Sequence, residues 1–428
     1  MTNGTSQTTS PDVVVVGGGV IGLATAWKTA KRGVAVTVVD PAPGTGATWA
    51  AAGMLAPVTE AHYGEEDLLR LDLAAARDWP AFARELEEDT GVEVGYRDCG
   101  TLAVAADGGD RAVLEELYRY QRSLGLEAAW VTSRQARERE PLVAPGIRGG
   151  LVALGDHQVH NRRLVEALRV ATARAGVDHV TARVAEVSVV GDRATGVVLA
   201  GGERLAAPTV VLAAGCWSAG IAGLPPEAVP PVRPVKGQIL RLRGPAQPPM
   251  LHGNVRGMVS GTSFYLVPRA DGTVVLGATV EEQGFDTTVR AGSVATLLRD
   301  ARAVVPAVDE LELVEALAGL RPGSPDNAPL LGPSVLPGLV VATGHYRNGI
   351  LLTPTTAEAM AHLLVEGSLP DLVAPFSPRR WEAGGGGPAG EGGATRTPAG
   401  GATAGPPVGA GAPVPGVTGS DEYDGGRL

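Results

Sequence analysis

Residues Gly17-Gly18-Gly19-Val20-Ile21-Gly22 carry the most explicit chemistry in the chain. They contain G-x-G-x-x-G at Gly17, Gly19 and Gly22. A four-valine run, Val13–Val16, precedes the motif and a helical stretch, Val20–Lys31, follows it. A second apolar run, Val34–Val39, ends at an acid, Asp40, eighteen residues after Gly22. In a chain with 60 glycines the pattern alone says little. Set between a strand and a helix, it describes a βαβ phosphate site. Gly17 allows the tight turn, Gly19 lets the backbone approach a pyrophosphate, and Gly22 lets the helix pack close to the sheet. The phosphates then meet the free N–H groups and positive end of the helix. Asp40, with Pro41 after it, is placed to accept a ribose hydroxyl.

The following loop, Gly44-Thr45-Gly46-Ala47-Thr48-Trp49-Ala50-Ala51-Ala52-Gly53-Met54, is rich in small and hydroxyl side chains. A simple nicotinamide domain has no need of it, whereas a flavin dinucleotide lying across the sheet edge does; a flexible loop is the alternative. Arg321, between Leu320 and Pro322, could grip a carboxylate through two parallel hydrogen bonds or serve a buried ion pair. Tyr265 reads as a core residue with a satisfied hydroxyl on residue type alone. His157 and His160 precede a helix and are expected to be exposed or capping. No His, Cys, Asp or Glu grouping has metal spacing.

The elements that must position these residues alternate along the chain. Glu65–Glu88 reads as a long amphipathic helix with Leu68, Leu71, Ala75, Trp79, Phe82 and Leu86 on one face, kinked or split at Pro80. Arg162–Ala175 is a second helix, stopped by Gly176. Residues 177–214 read as strands, the run Thr209–Ala213 ending in Ala214-Gly215 as a strand buried in a parallel sheet does. Residues 231–280 suggest a largely antiparallel sheet. Leu339–Ala342 is another buried strand, and Thr353–Glu366 a helix capped by Thr353 and ended by Gly367. The expected class is α/β, a doubly wound dinucleotide-binding domain with an inserted mixed-sheet domain.

Bulk properties narrow the functions. The chain has 428 residues, 44% of them hydrophobic, and a net charge of −10 without a run of Lys and Arg. A nucleic-acid surface is therefore not expected. Two cysteines, Cys99 and Cys216, give no disulfide framework and point to a reducing cytoplasm. The stretch Val13–Trp27 is too short and glycine-rich for a membrane span, and no secretory signal is visible. Residues 1–10 and the Gly/Ala/Pro/Thr-rich stretch 383–428 are expected to be disordered.

The first βαβ unit, the loop 50–55, Val235-Lys236-Gly237, Tyr265-Leu266-Val267-Pro268-Arg269, Ala318-Gly319-Leu320-Arg321-Pro322-Gly323 and Gly344-His345-Tyr346-Arg347-Asn348-Gly349-Ile350-Leu351-Leu352 together resemble the glycine oxidases of thiamine biosynthesis. These belong to the D-amino acid oxidase and sarcosine oxidase group of flavoproteins, and the resemblance spans about residues 11–380. It implies an FAD domain from 11–60, 150–228 and 318–380, with a substrate domain from 61–149 and 229–317. It implies FAD contacts at Gly17, Gly18, Gly19, Val20, Ile21, Gly22, Asp40, Pro41, Thr48, Trp49, Ala51, Ala52, Gly53, Met54, Val184, Ala214, Gly215 and the segment His345, Tyr346, Arg347, Asn348, Gly349, Ile350, Leu351. Arg321 and Tyr265 match the pair that grips the substrate carboxylate, and Arg347 is expected to bind substrate with them.

The resemblance further implies oxidation of glycine by hydride transfer to the flavin, with O2 as final acceptor. No side chain is expected to abstract a proton; His345 is read as a flavin contact or loop packing. Relatives that bind FAD covalently use a histidine where Ala50 stands, or a cysteine near Pro322–Pro325, so non-covalent FAD is expected. Val280 stands where a glycine oxidase of this group carries a methionine near the substrate, which leaves side-chain tolerance and activity on sarcosine open. A homo-oligomer and a handover to thiazole synthase also follow from the resemblance, as does the contrasting reading of a flavin-binding scaffold.

Overall fold

The computed structural model describes residues 10–381. The expectations for residues 1–10 and 383–428 lie outside the described residues, Ser10 apart.

Val13–Val16, Val36–Val39, Thr209–Leu212, Asp178–Val180 and Leu339–Thr343 form a parallel sheet, with Leu330–Pro333 added antiparallel at one edge. Val13–Val16 lies in its middle, paired with Val36–Val39 on one side and Thr209–Leu212 on the other. All four valines are buried. A strand covered on both faces needs apolar side chains on both, and β-branched residues suit the pleat.

Helices Val20–Ala30, Glu66–Thr90, Asn161–Arg174 and Thr353–Glu366 cover one face of this sheet and share one apolar core with it. The antiparallel strands Val184–Val190, Arg193–Leu199 and Arg204–Ala206 cover the other.

The second sheet has eight strands in the order Glu312–Gly323, Arg233–Arg243, Thr273–Gly277, Thr262–Pro268, Asn254–Val259, Thr101–Ala105, Gly150–Ala153, Ala128–Val131. Pairing within 231–280 is antiparallel, as the alternation predicts, but Asn254–Val259 joins Thr101–Ala105 in parallel. Helix Ala291–Val304 packs on one face. The other face looks into the cavity described below.

Several local expectations need correction. Pro80 does not split its helix, which runs unbroken over Glu66–Thr90. The six apolar residues of its stripe are all buried, so tertiary packing outweighs the missing backbone donor. Thr353 is the first helical residue rather than the cap; its hydroxyl donates to the Gly349 carbonyl at 2.8 Å. The division of the chain at residues 61, 150 and 318 also departs from the packing. The helix Glu66–Thr90 belongs to the core of the parallel sheet, and Gly150–Ala153 and Glu312–Gly323 are strands of the eight-stranded sheet. The physical reason is that the 66–90 stripe needs a large apolar face and finds it on the helices beside the first βαβ unit.

Candidate active site

A cavity of about 770 Å³ opens between the carboxyl ends of the parallel strands and the eight-stranded sheet. This volume lies within the usual range of ligand sites, and the crevice beyond the strand ends is where open α/β sheets bind ligands.

At one end the wall is the phosphate motif. Gly17 has φ of +110°, and a Cβ there would stand 2.4 Å from the Ala213 carbonyl oxygen. Only glycine meets both demands. A Cβ on Gly22 would lie 1.9 Å from the Gly17 carbonyl oxygen, so this glycine serves the helix–strand contact. A Cβ on Gly19 would meet one atom within 4 Å, the Thr48 hydroxyl oxygen at 3.4 Å; the rest of its surroundings is open. Gly19 precedes the helix Val20–Ala30 without a side-chain cap, and the Val20 N–H donates to the Thr48 hydroxyl at 3.2 Å. A helix N-terminus and a hydroxyl thus face open space, which suits an anionic pyrophosphate. The Asp40 carboxylate accepts from Gly18 N–H at 2.6 Å and Ala42 N–H at 2.7 Å, and each oxygen keeps a lone pair for a hydroxyl. These features fit the diphosphate and ribose of FAD.

The wall continues through Thr48, Ala51–Met54, Val184, Ala214, Gly215 and the segment His345–Leu351. Arg269, buried, donates to the Ala52 and Val159 carbonyls and to Gln158 Oε1, pinning the Ala52–Gly53 turn. Three of the expected contact residues do not line the cavity. Gly18 packs against Pro43 and Asp40, Gly22 faces the strand, and Trp49 turns outward, 38% exposed, with the Arg162 guanidinium 3.9 Å from its ring centroid.

The other end is built on one row of the eight-stranded sheet. Ile239, Gly277, Tyr265, Arg256 and Ala103 stand directly opposite one another across five strands and so share a face. Arg321 projects from the edge strand on that face. Its guanidinium lies over Gly237, where a Cβ would meet Nη1 at 2.3 Å, and the Tyr265 hydroxyl lies over Gly277, where a Cβ would meet it at 2.4 Å. Two missing side chains therefore let Arg321 and Tyr265 lean toward each other across two intervening strands. Arg321 donates to the Thr279 carbonyl at 3.2 Å and the Lys236 carbonyl at 3.4 Å. Among the described residues no carboxylate pairs with it, so the alternative of a buried ion pair finds no partner. Burial pushes the Tyr265 hydroxyl pKa up despite the opposing pull of Arg321, and it stays a donor.

Beside this pair sits a charged cluster that sequence reasoning missed. Glu60 is held by Arg256 at 2.7 Å and Arg347 at 3.0 Å, and Arg347 reaches Glu65 at 3.1 Å. Burial raises the Glu60 carboxyl, but the two guanidinium groups outweigh it and hold it below the usual range. Arg347 was expected to touch substrate and flavin; it lines the cavity with its charge already shared by two carboxylates. Asn348 donates to Asp72 at 3.2 Å, and burial together with nearby Glu60 raises the Asp72 carboxyl well above its ordinary value. His62 also lines the cavity, and burial with Arg347 lowers its imidazole to about 4. His345 is buried beside the cavity, its Nε2 3.1 Å from the Thr356 hydroxyl, and burial lowers it to about 3. The expectation for His160 was a capping residue, and its Nδ1 accepts from Arg163 N–H at 3.3 Å. Among the described residues no His, Cys, Asp and Glu group could hold a metal ion, and no helix is long and apolar enough to cross a membrane.

The chain is 36% identical over 370 residues to the glycine oxidase of Geobacillus kaustophilus, covering 86% of this chain and 96% of that protein. The crystal structure of glycine oxidase from that organism matches the fold with a TM-score of 0.79, covering 87% of this chain and 99% of that one. Over 380 residues the chain is 35% identical to a bifunctional protein ThiO/ThiG of Synechocystis, covering 88% of this chain but 54% of that protein. It is also 30% identical to the hydrogen cyanide synthase subunit HcnC of Pseudomonas aeruginosa, covering 87% of this chain and 96% of that one. A family model described as FAD dependent oxidoreductase matches residues 12–363. With the diphosphate cradle, the Asp40 carboxylate and this match in agreement, the chain belongs to the FAD-dependent oxidoreductases of that family.

Proposed function

We propose that the protein is a glycine oxidase with non-covalently bound FAD. The observation that carries this reading is the convergence of Arg321 and Tyr265 over Gly237 and Gly277, the guanidinium having no carboxylate partner. A guanidinium fork and a neutral hydroxyl fit the carboxylate of an amino acid, and a half-buried cation with no carboxylate partner is free to take one.

In this reading Gly17, Gly19, the first turn of Val20–Ala30 and Thr48 would hold the FAD diphosphate. Asp40 would take the ribose, Val184 the adenosine half, and the segment 345–351 would contact the flavin. FAD would supply the hydride acceptor. Arg321 and Tyr265 hold the substrate carboxylate and so orient Cα, and the fixed position supplies the rate advantage of proximity. His345 stays neutral and bonded to Thr356, and Asn348 is anchored on Asp72; both keep the segment 345–351 in place. No side chain abstracts the Cα proton. The balanced reaction is glycine, O2 and water to glyoxylate, ammonia and hydrogen peroxide. The imine formed before hydrolysis suits delivery to a thiazole synthase, in line with the fused relative.

The test is anaerobic titration of the purified protein with glycine, followed by the flavin absorbance. Bleaching supports amine oxidation; a yellow protein that glycine leaves unchanged removes the glycine assignment. Acid precipitation of the same sample should leave all flavin in the supernatant, since Ala50 offers no atom for a covalent link.

A further inference from the structure

The side chain of Lys236 is fully buried. Its neighbours Gly237 and Ile239 face the cavity, so Lys236 and Gln238 face the back of the sheet, as do Leu240 and Leu242, which pack on the helix Ala291–Val304. Neither Lys236 nor Gln238 lines the cavity. The Lys236 ammonium donates to the Thr288 carbonyl at 2.6 Å and to the Asp286 carboxylate at 3.3 Å. Hydrogen bonds from Thr288, with Lys236 and Arg290 adding to them, hold the Asp286 carboxyl below the usual carboxylate range. The Gln238 amide donates to Glu281 at 2.7 Å and to the Ser293 hydroxyl at 2.9 Å, and its oxygen accepts from Arg290 N–H at 2.8 Å. These two side chains fasten the segment 279–290 to the back of the sheet.

The same segment shapes the cavity side. Ile239 pairs with Gly277 and Lys236 with Glu281, so three steps along one strand meet four along the other, and the extra residue makes a bulge. The Thr279 carbonyl in that bulge and the Lys236 carbonyl beside it both accept from the Arg321 guanidinium. The direction of Arg321 is therefore set by backbone that is held from behind. Burying an ammonium is costly unless it is paired and hydrogen-bonded, and an apolar side chain would fill the same space without that cost. Packing alone does not explain a lysine there. We propose that Lys236 is a positioning residue for the substrate carboxylate. Its ammonium pins residues 286–288, which steadies the bulge and so aims Arg321 into the cavity. This rests on the reading of Arg321 as the carboxylate grip.

The experiment titrates the FAD-loaded protein with acetate, reading Kd from the perturbed flavin spectrum, in Lys236→Met, Arg321→Met and the double variant. A guanidinium that swings away loses one charged hydrogen bond to the carboxylate, so Lys236→Met should raise the acetate Kd by about tenfold to a hundredfold. Flavin content should stay full. In anaerobic stopped-flow reduction the half-saturating glycine concentration should rise by a similar factor while the limiting rate stays within about twofold, because the carboxylate is held alike in ground and transition states. Since Lys236 acts through Arg321, the double variant should bind acetate as Arg321→Met does. An unchanged acetate Kd in Lys236→Met overturns the proposal. So does a loss of equal size in both backgrounds, which marks general damage to the sheet. Asp286→Ala removes one partner at the part-exposed end of the pair and should weaken acetate binding by a smaller factor. It supplies the test if Lys236→Met fails to fold, and an unchanged Kd there overturns the proposal as well. If Arg321→Met itself leaves acetate affinity intact, the grip reading falls and this inference with it. If Arg321→Met weakens acetate and Lys236→Met does not, the grip stands and its positioning by Lys236 falls.

Discussion

Replacing Arg321 with methionine removes the fork but keeps much of its bulk. In the structure the guanidinium contacts the carbonyls of Lys236 and Thr279 and stands over Gly237, with no carboxylate partner among the described residues. The substitution therefore strands no buried anion, and stability should change by no more than about 1 kcal/mol. The diphosphate site proposed for FAD lies at the opposite end of the cavity, so flavin content should stay full. Substrate binding should suffer heavily. Hydrogen bonds to a charged group are worth about 1.5–3 kcal/mol each, so losing two parallel ones costs about 3–6 kcal/mol. That is a loss of roughly two to four decades in glycine affinity, Tyr265 alone remaining. Anaerobic stopped-flow reduction at increasing glycine reads the binding constant apart from the limiting rate. Arg321→Lys should fall between, since an ammonium keeps the charge without the fork. If Arg321→Met saturates with glycine like the unmodified protein, the carboxylate grip lies elsewhere.

Gly237→Ala places a methyl 2.3 Å from Arg321 Nη1, so it should displace the guanidinium and raise glycine KM by one to two decades while FAD remains bound; normal kinetics would show that Arg321 reaches substrate from another position. Gly19→Leu should yield protein that purifies without flavin, because the side chain has only the Thr48 hydroxyl beside it and otherwise fills the cradle; a full flavin spectrum would contradict the phosphate assignment. His345 is neutral when folded down to about pH 3, whereas an unfolded histidine takes a proton near 6.5. The unfolded chain thus binds more protons between those values, and stability falls as pH drops through that window by about 1.4 kcal/mol per pH unit from this residue. His345→Gln should flatten that decline; urea unfolding at pH 7 and pH 5 measures it, and an unchanged slope would show that the imidazole is not neutral in the fold.

The parts of the site that were legible in the sequence are those whose chemistry is local. The G-x-G-x-x-G motif, its valine strand and its helix lie within twenty residues, and backbone sterics at Gly17 and Gly22 decide which residues fit. Thr209–Leu212 and Leu339–Thr343 announced themselves as buried strands because both faces of a parallel sheet are covered. The end of Thr353–Glu366 at Gly367, with φ of +75°, is equally local. Arg321 and Tyr265 stood out only through their motifs; by residue type alone either could have been a core residue.

What tertiary structure decided is everything that depends on which strands lie side by side. Gly237 and Gly277 become recesses for Arg321 and Tyr265 only because strand order sets them between those two residues. Glu60, Arg256 and Arg347 have no sequence proximity, and their ion pairs span 196 residues in the case of Glu60 and Arg256. The outward turn of Trp49, the continuity of the helix through Pro80 and the parallel pairing of Asn254–Val259 with Thr101–Ala105 have the same origin. Each is a choice between local options made by long-range burial. Short-range patterning determined the candidate cofactor site of this protein, and the arrangement of the eight-stranded sheet determined the shape and charge of the place where a substrate would lie.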